Sequence, residues 1–128
     1  MDTTKKIITT PNAPKPIGPY SQATVANGFV YVAGSAAVDP GTNKWLGGGI
    51  KEQTRQTLEN VKAILEASGS SLEKVMKVNI YLRKKELFGE MNEVYSTYFA
   101  NDRPARTTVI TDLLLDDMLI EIDCVALL

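Results

Sequence analysis

Short runs rich in β-branched, aromatic and small residues, separated by turn residues, occupy much of the first 38 residues, which is typical of β-strands. Three of these runs are predicted strands: "KKIIT" (5–9), "ATVA" (23–26) and "FVYVAGSAAV" (29–38). The last two flank Asn27-Gly28, the dipeptide that best accommodates the positive φ angles of a two-residue turn. The sequence therefore predicts a β-hairpin here, followed by a turn at "DPGTN" and a brief pairing segment at "KWL".

The hydrophobic period changes to that of an α-helix at Ile50. One helical stripe then carries Ile50, Thr54, Leu58, Val61, Leu65 and Ser68. Gly69 follows this stripe as the expected C-terminal cap. A second helix is predicted over 86–99, where the same spacing relates Leu87, Met91, Val94 or Tyr95, and Tyr98.

Three further strands complete the pattern. In "VMKVNIYLR" (75–83) one face is expected to carry Met76, Val78, Ile80 and Leu82. Residues 106–111 and 119–127 are the last two predicted strands. The order is βββαβαββ, an α+β fold in which two helices cover one face of a single mixed sheet of about six strands. We expect residues 1–128 to form one domain.

The other face of this sheet has no helix to cover it. In "FVYVAGSA" (29–36) both alternating sets of residues are apolar or small, which is costly if either set meets water. We therefore expect the uncovered face to pack against other subunits. The alternative is that the proline-rich loop 11–19 covers this face within one chain.

Composition narrows the classes of function. The 14 Lys and Arg nearly balance the 15 Asp and Glu, so a net charge of −1 gives no general attraction for nucleic acid or anionic lipid. The chain has no histidine, the commonest general base and metal ligand, and it has no metal-ligand spacing.

A single cysteine fits a reducing compartment. Residues 1–16 lack the apolar core of a signal peptide, and no apolar run reaches the roughly 20 residues of a membrane helix. We therefore expect a cytoplasmic protein.

Arg106 and Glu121 are the candidate chemical groups, because each is a charge within an alternating apolar strand. Arg106 and Thr108 share one strand face, and Glu121 lies among apolar neighbours in the last strand. Two interpretations are open. One is an ordinary ion pair or rim charge; the other is a carboxylate-binding pocket, in which the guanidinium grips a small acid through two hydrogen bonds. In the second, Glu121 would move protons, with its pKa raised by an apolar setting.

Other polar and reactive residues have simpler explanations. Residues 47–49 are glycines before a helix, but the rest of a phosphate-binding loop is missing, so a flexible loop is expected. Ser21 and Ser35 have no histidine to activate them as nucleophiles. Cys124 is expected to be a buried small hydrophobe.

Six stretches of the chain together resemble one family. They are "APKPIGPYSQA" (13–23), "YVAGSAAVDP" (31–40), "QTRQTLENVKAILEASGSSLEKVMKVNIYL" (53–82), "MNEVYSTYF" (91–99), "RPARTTV" (103–109) and "IEIDCVAL" (120–127). In this order and spacing they are similar to the reactive intermediate deaminase A family, also called the YjgF/YER057c/UK114 family. The resemblance covers nearly the whole chain.

The resemblance implies a chorismate-mutase-like fold assembled as a homotrimer, with three sheets around a central barrel and a ligand site at each subunit interface. It also implies hydrolysis of reactive enamine and imine acids, such as 2-aminoacrylate and 2-iminopropanoate, to the 2-oxo acid and ammonia, without a cofactor. These compounds leak from pyridoxal-phosphate-dependent serine and threonine dehydratases. The expected partners are thus small 2-imino and 2-oxo carboxylic acids.

The family's site residues can be matched one by one. Arg106 matches the arginine that holds the substrate carboxylate, and Glu121 matches the glutamate near the attacking water. Tyr20 matches a tyrosine that lines the pocket, and Asn92 matches an asparagine on the second helix. Thr108 stands where many members have cysteine, in a role carried largely by backbone groups.

The chain departs from the family pattern around Gly34 and Ser35, which are also assigned to substrate binding. Active members typically read Ser-Gly-Gln-Ile-Pro here, whereas this chain reads "AGSAAV", with alanine at 36 and 37. Leu115 stands where proline is common. The loop around it is acidic, which would disfavour anionic substrates if the mouth of the pocket carried Asp112, Asp116 and Asp117.

Two functions compete on this evidence. The first is the enamine/imine deaminase. The second is a binding protein of the same fold that holds a small carboxylate metabolite without turnover, which the altered "AGSAAV" segment supports. Glu121 beside Arg106 favours the enzyme, because carboxylate binding needs only the arginine. A ribonuclease or translation-inhibitor activity, sometimes ascribed to the family, ranks last because the sequence has no basic stripe with stacking aromatics.

Overall fold

The computed structural model describes residues 4–128 and places them in a six-stranded β-sheet and two α-helices. In chain order these elements are β1 (Lys6–Ile8), β2 (Ala23–Ala26), β3 (Phe29–Ser35), α1 (Ile50–Ala67), β4 (Val75–Leu82), α2 (Phe88–Tyr98), β5 (Ala105–Ile110) and β6 (Ile120–Leu127). Short 3₁₀ turns precede β4 and α2. The predicted order βββαβαββ is confirmed.

The strands lie in the spatial order β1-β2-β3-β6-β4-β5. Neighbouring strands are antiparallel except β4 and β5, which are parallel. The helix α2 connects the end of β4 to the start of β5 and so returns the chain to the end of the sheet at which β4 began. The last strand of the chain, β6, therefore lies between β3 and β4. This mixed sheet is the one that the sequence predicts.

Local turn and cap signals are also confirmed. Asn27 and Gly28 have φ angles of 53° and 81°, as a two-residue hairpin turn requires. At the end of α1, Gly69 has a φ of 85°, and the amide of Ser70 donates to the carbonyl of Leu65 at 2.8 Å. This arrangement satisfies a carbonyl that the helix leaves without a partner.

The hydrophobic core lies between the two helices and one face of the sheet. Its fully buried members include Val30, Leu58, Leu65, Val78, Ile80, Leu82, Met91, Ile120 and Ile122. Cys124 belongs to the same core and is 3% exposed, and burial raises the pKa of its thiol to about 12. The thiol therefore stays protonated and packs as a small hydrophobe, as expected.

One predicted core position is wrong. Met76 is 52% exposed, and Val75 takes its place in the core. The register between β4 and β6 shifts here, because Val75 pairs with Ala126 while Lys77 pairs with the adjacent Val125. This β-bulge adds one residue to β4 and so reverses the alternation of side chains at its start.

The second face of the sheet, here called the uncovered face, is apolar and exposed in one chain. Phe29, Tyr31 and Val109 are 37%, 49% and 41% exposed on it. Loop 11–19 leaves these three side chains exposed and lies near the uncovered face only beside Glu121. The alternative in which the loop shields the apolar part of the sheet is therefore wrong. Among residues 4–128, no helix is long and apolar enough to cross a membrane.

Candidate functional site

Arg106 lies on the helix-covered face of the edge strand β5. Its register partner is the buried Val78, so its side chain extends toward α2. There Nη1 donates to Oδ1 of Asn92 at 2.8 Å. Within the described part of the chain Arg106 forms no ion pair with a carboxylate. The guanidinium thus keeps N–H donors that no carboxylate of the described residues occupies.

Two aromatic rings of α2 hold this guanidinium. Its central carbon lies 5.5 Å from the ring centroid of Phe88 and 4.7 Å from that of Tyr95. Together with Asn92 these residues are spaced three and four apart, so they share the helix face turned toward β5. Burial raises the pKa of Tyr95, while the nearby Arg106 charge acts in the opposite direction. The neutral ring is a platform for the cation.

The predictions from the sequence do not include this contact face of α2. The family resemblance points to Asn92, but helical spacing accounts for Tyr95 only as a helix position and does not include Phe88. The pattern Phe88, Asn92, Tyr95 was the available signal, because it places an amide between two rings on one stripe.

Thr108 extends the polar strip beyond Arg106 on the same strand face. It pairs in register with the buried Ile80. Its hydroxyl oxygen is buried and has no hydrogen-bond partner within residues 4–128. A buried hydroxyl without a partner is unfavourable, and a ligand on Arg106 can relieve it.

The remaining predicted site residues lie around a cavity of about 660 Å³. It lies between loop 14–20, the end of β3 and the segment 113–118, and its lining includes Tyr20, Gly34, Ser35 and Glu121. The Tyr20 side chain is about half exposed, and its hydroxyl accepts a hydrogen bond from the amide of Ile17 at 3.3 Å. The Ser35 hydroxyl donates to the carbonyl of Ala33 at 3.1 Å.

Glu121 supplies the carboxylate of this cavity. It lies opposite Tyr81 across the β4–β6 ladder, on the uncovered face of the sheet. Within the described residues its side chain forms no hydrogen bond or ion pair. Burial, and secondly the charge of Asp123, raises the pKa of this carboxyl above its usual value of 4.5. A half-buried carboxylate of raised pKa is suited to take up and return a proton.

Gly34 makes room for that carboxylate. A Cβ at this position would lie 3.0 Å from Cδ and 3.4 Å from Cγ of Glu121, and closest of all to its Oε2. The side chain can therefore lie against the β3 backbone only because residue 34 is glycine.

We expect Gly34→Ala to lower catalytic activity while changing stability little. The colliding atoms belong to the end of a flexible side chain, so Glu121 rotates away and the fold adjusts at a cost of about 1 kcal/mol. The measurement is thermal unfolding beside a kinetic assay. Equal activity with an unchanged melting temperature would contradict the assigned role of Gly34.

The seven predicted site residues form two separate groups in one chain. Arg106 pairs in register with Val78 and through it with Cys124, whereas Glu121 pairs with Tyr81. The two charges therefore lie on opposite faces of the sheet, with Cα atoms roughly 14 Å apart from strand spacing and rise. They neither pair with each other nor converge within one chain.

The comparisons with known proteins identify the family. A family model described as Endoribonuclease L-PSP matches residues 10–128. The chain belongs to this family. Its members include the RutC, UK114 and RidA proteins of the YjgF/YER057c/UK114 group, so the resemblance seen in the sequence is confirmed.

Three relatives represent the range of similarity. A RutC family protein of Pyrococcus horikoshii is 53% identical over 95% of this chain and 97% of its own length. A 2-iminobutanoate/2-iminopropanoate deaminase of Dermatophagoides farinae is 43% identical over 82% of both chains. The crystal structure of E. coli TdcF with bound serine is 34% identical, covers 95% of this chain and 98% of that one, and superposes with a TM-score of 0.88. The chorismate-mutase-like fold is confirmed.

The departures from the YjgF/YER057c/UK114 pattern can now be placed. The segment with alanine at 36 and 37 is held by α1, because Asn60 Nδ2 donates to the carbonyls of Ala36 and Val38 at 3.0 and 2.9 Å. Leu115 lines the cavity. The lining of this cavity in one chain includes none of the three aspartates of this loop: Asp112, Asp116 and Asp117.

Two of these aspartates contact groups outside the cavity lining. Asp117 accepts a hydrogen bond from the Trp45 indole at 2.8 Å, and Asp112 lies 3.9 Å from Arg83. Arg83 also donates to backbone carbonyls of the loop, at Leu115 with 2.7 Å and at Met118 with 2.6 Å. These hydrogen bonds hold the loop in place, and leucines rather than aspartates of this loop line the cavity.

Proposed function

We propose that this protein is an enamine/imine deaminase that hydrolyses compounds such as 2-aminoacrylate and 2-iminopropanoate to 2-oxo acids and ammonia. One observation carries the proposal: the guanidinium of Arg106 is half-buried between two aromatic rings, bonded to an amide and without a carboxylate partner in residues 4–128. The deaminase name of the Dermatophagoides relative and the serine bound to TdcF support a small amino-acid-like carboxylate as the ligand.

Arg106 binds the substrate carboxylate through two parallel hydrogen bonds in this proposal. Asn92 holds the guanidinium in place from one side, and the Phe88 and Tyr95 rings restrict its motion from the other. A fixed carboxylate also fixes the neighbouring imine carbon, so binding energy is used for orientation.

Glu121 acts as the general base and then the general acid. It takes a proton from a water that attacks the carbon of the protonated imine, and a neutral carbinolamine forms. Glu121 then gives this proton to the amino nitrogen. As the C–N bond breaks and ammonia leaves, the carbinolamine hydroxyl gives its proton to Glu121 and becomes the carbonyl of the 2-oxo acid, and Glu121 releases that proton to solvent. The raised pKa of Glu121 suits these transfers. The chain has no histidine to take this role, and the chemistry requires no cofactor.

Two neighbouring chains supply each site. Arg106 and Glu121 lie on opposite faces of one sheet, so one small acid can contact both only when they come from different subunits. The exposed apolar side chains of the uncovered face favour the same arrangement, because burial of that face against other copies removes them from water. We infer the homotrimer with interfacial sites that the family resemblance implies.

We expect a solution mass of three times the 14.0 kDa of one chain. Sedimentation equilibrium across a range of concentrations measures this mass directly. A mass of one chain at working concentration would remove the interfacial site, and the proposed mechanism with it.

A non-catalytic carboxylate-binding protein of the same fold is the second candidate. The altered segment around Ser35 and Ala36 favours it, because these small residues reshape the cavity wall beside Glu121. The unpaired state and raised pKa of Glu121 argue for the enzyme, since a protein that only holds an acid gains nothing from a desolvated carboxylate nearby. The name of the family model suggests RNA cleavage, but a net charge of −1 does not favour a polyanion.

The deciding experiment couples a serine or threonine dehydratase to this protein. The rate of 2-oxo acid release, or of imine decay, is followed with the wild type and with Arg106→Ala. Acceleration by the wild type that is lost in the variant supports the deaminase. No acceleration, with serine-derived and bulkier imino acids alike, favours the binding protein.

A further inference from the structure

Asp123 is a second carboxylate on the same face of β6 as Glu121. The two residues are separated by one position, so their side chains lie about 7 Å apart along the strand. Unlike Glu121, Asp123 accepts a hydrogen bond at each of its two carboxylate oxygens. Its Oδ1 accepts from Asn79 Nδ2 at 2.9 Å, and its Oδ2 accepts from the Tyr81 hydroxyl at 2.8 Å.

The Tyr81 contact is diagonal across the ladder. Tyr81 pairs directly with Glu121, and Asn79 pairs directly with Asp123. The Tyr81 hydroxyl nevertheless donates to Asp123 rather than to the carboxylate opposite it. Asp123 therefore occupies the donors of Asn79 and Tyr81, the third donor of β4 on this face, Lys77 Nζ, bonds to Thr107, and Glu121 receives a hydrogen bond from none of them.

We propose that Asp123, with Asn79 and Tyr81, is a positioning cluster that keeps the Glu121 carboxylate free of hydrogen bonds from β4. The proposal rests on the proposed function for its catalytic consequence, because Glu121 must carry protons for the cluster to matter to turnover. Asp123 touches neither water nor substrate in this scheme and acts only through Glu121.

The remaining surroundings of Glu121 are consistent with this role. The ionisable groups around it are Asp123 from its own strand, Tyr81 from β4, Arg83 just beyond β4, whose guanidinium donates to the carbonyls of the loop beside the cavity, and Tyr20 and Lys15 from loop 14–20, which line the same cavity. Of these, Asp123 is the one that raises the pKa of Glu121, after burial itself. The adjacent end of β3 adds glycine and serine, which carry no charge.

The test is the titration of Glu121 by carbon-13 NMR of its side-chain carboxyl in the assembled protein, with Glu121→Gln to assign the signal. We expect Asp123→Asn to lower the titration midpoint of Glu121 by about 0.4 to 1.7 pH units, from the Coulomb interaction of two charges at this separation. The acid limb of kcat/KM should move by the same amount.

Two control variants separate this role from a purely structural one. Asp102→Asn removes the same charge from an exposed loop before β5, at the opposite end of the ladder, and should leave the midpoint unchanged. Tyr81→Phe removes the hydroxyl but keeps the Asp123 charge, so the midpoint should not fall. An unchanged or raised midpoint in a folded Asp123→Asn variant overturns the proposal. A lowered midpoint in a protein without deaminase activity supports the cluster and refutes the proposed function alone.

Discussion

Replacing Arg106 by alanine should reduce kcat/KM for imine hydrolysis by about 10²- to 10⁴-fold. The side chain is expected to make two charge-assisted hydrogen bonds to the substrate carboxylate, and each such bond contributes about 1.5–3 kcal/mol. Every 1.4 kcal/mol, roughly, is a tenfold change in rate. Steady-state kinetics of the coupled dehydratase assay measures the loss.

The same substitution should leave the fold nearly as stable as before. Arg106 forms no ion pair within residues 4–128, so its removal breaks one hydrogen bond to Asn92 and its contacts with two rings. Cation–π contacts at partly exposed sites contribute about 0.5–1 kcal/mol. The melting temperature should fall by only a few degrees.

Two further variants control this prediction. Arg106→Lys keeps the charge but cannot form the two parallel bonds, so its activity should lie between those of the wild type and alanine. Arg103→Ala removes a neighbouring arginine that donates to the carbonyl of Phe99 at 2.8 Å, and it should retain activity. If Arg106→Ala turns over imines at the wild-type rate, the carboxylate clamp is refuted.

Local signals predicted the secondary structure because they act over a few residues. Asn27-Gly28 and Gly69 adopt the positive φ angles that their positions require, and the helical stripe from Ile50 to Leu65 is buried as expected. Met76 was placed wrongly for the opposite reason. A β-bulge depends on how two strands pair, so the sequence of β4 alone does not show that Val75 and Lys77 pair with adjacent residues of β6.

The candidate site depended on register in the same way. Alternation told us that Arg106 and Thr108 share a face, but it could not relate the face of β5 to that of β6. That relation needs the intervening strand β4, where Val78 faces Arg106 and Tyr81 faces Glu121. Since these partners differ by three positions, the charges fall on opposite faces. The family resemblance supplied the residues, and the structure places them in two groups on opposite faces of the sheet.

Glu121→Gln should lower kcat by about 10²- to 10⁴-fold, the usual contribution of general acid–base catalysis, while changing KM less because Arg106 still holds the substrate carboxylate. In the wild type, kcat/KM should fall as the pH is lowered through the raised pKa of Glu121, since the base becomes protonated. The variant should lose this acid limb. Glu86→Gln, the same change at an exposed position, should leave rate and pH profile unchanged.

Glu121→Gln should raise the free energy of unfolding at neutral pH, although it lowers activity. The folded-state pKa of Glu121 lies above its usual value of 4.5, so the folded protein holds this proton more tightly than the unfolded chain does. Folding stability from this group is therefore greatest below that value and falls as the pH rises through the folded pKa. Glutamine removes the penalty, so Glu121→Gln should be more stable than the wild type at neutral pH and equal to it in acid. Denaturant unfolding at both pH values tests this, and a variant less stable at neutral pH would show that the ionised carboxylate has a stabilising partner.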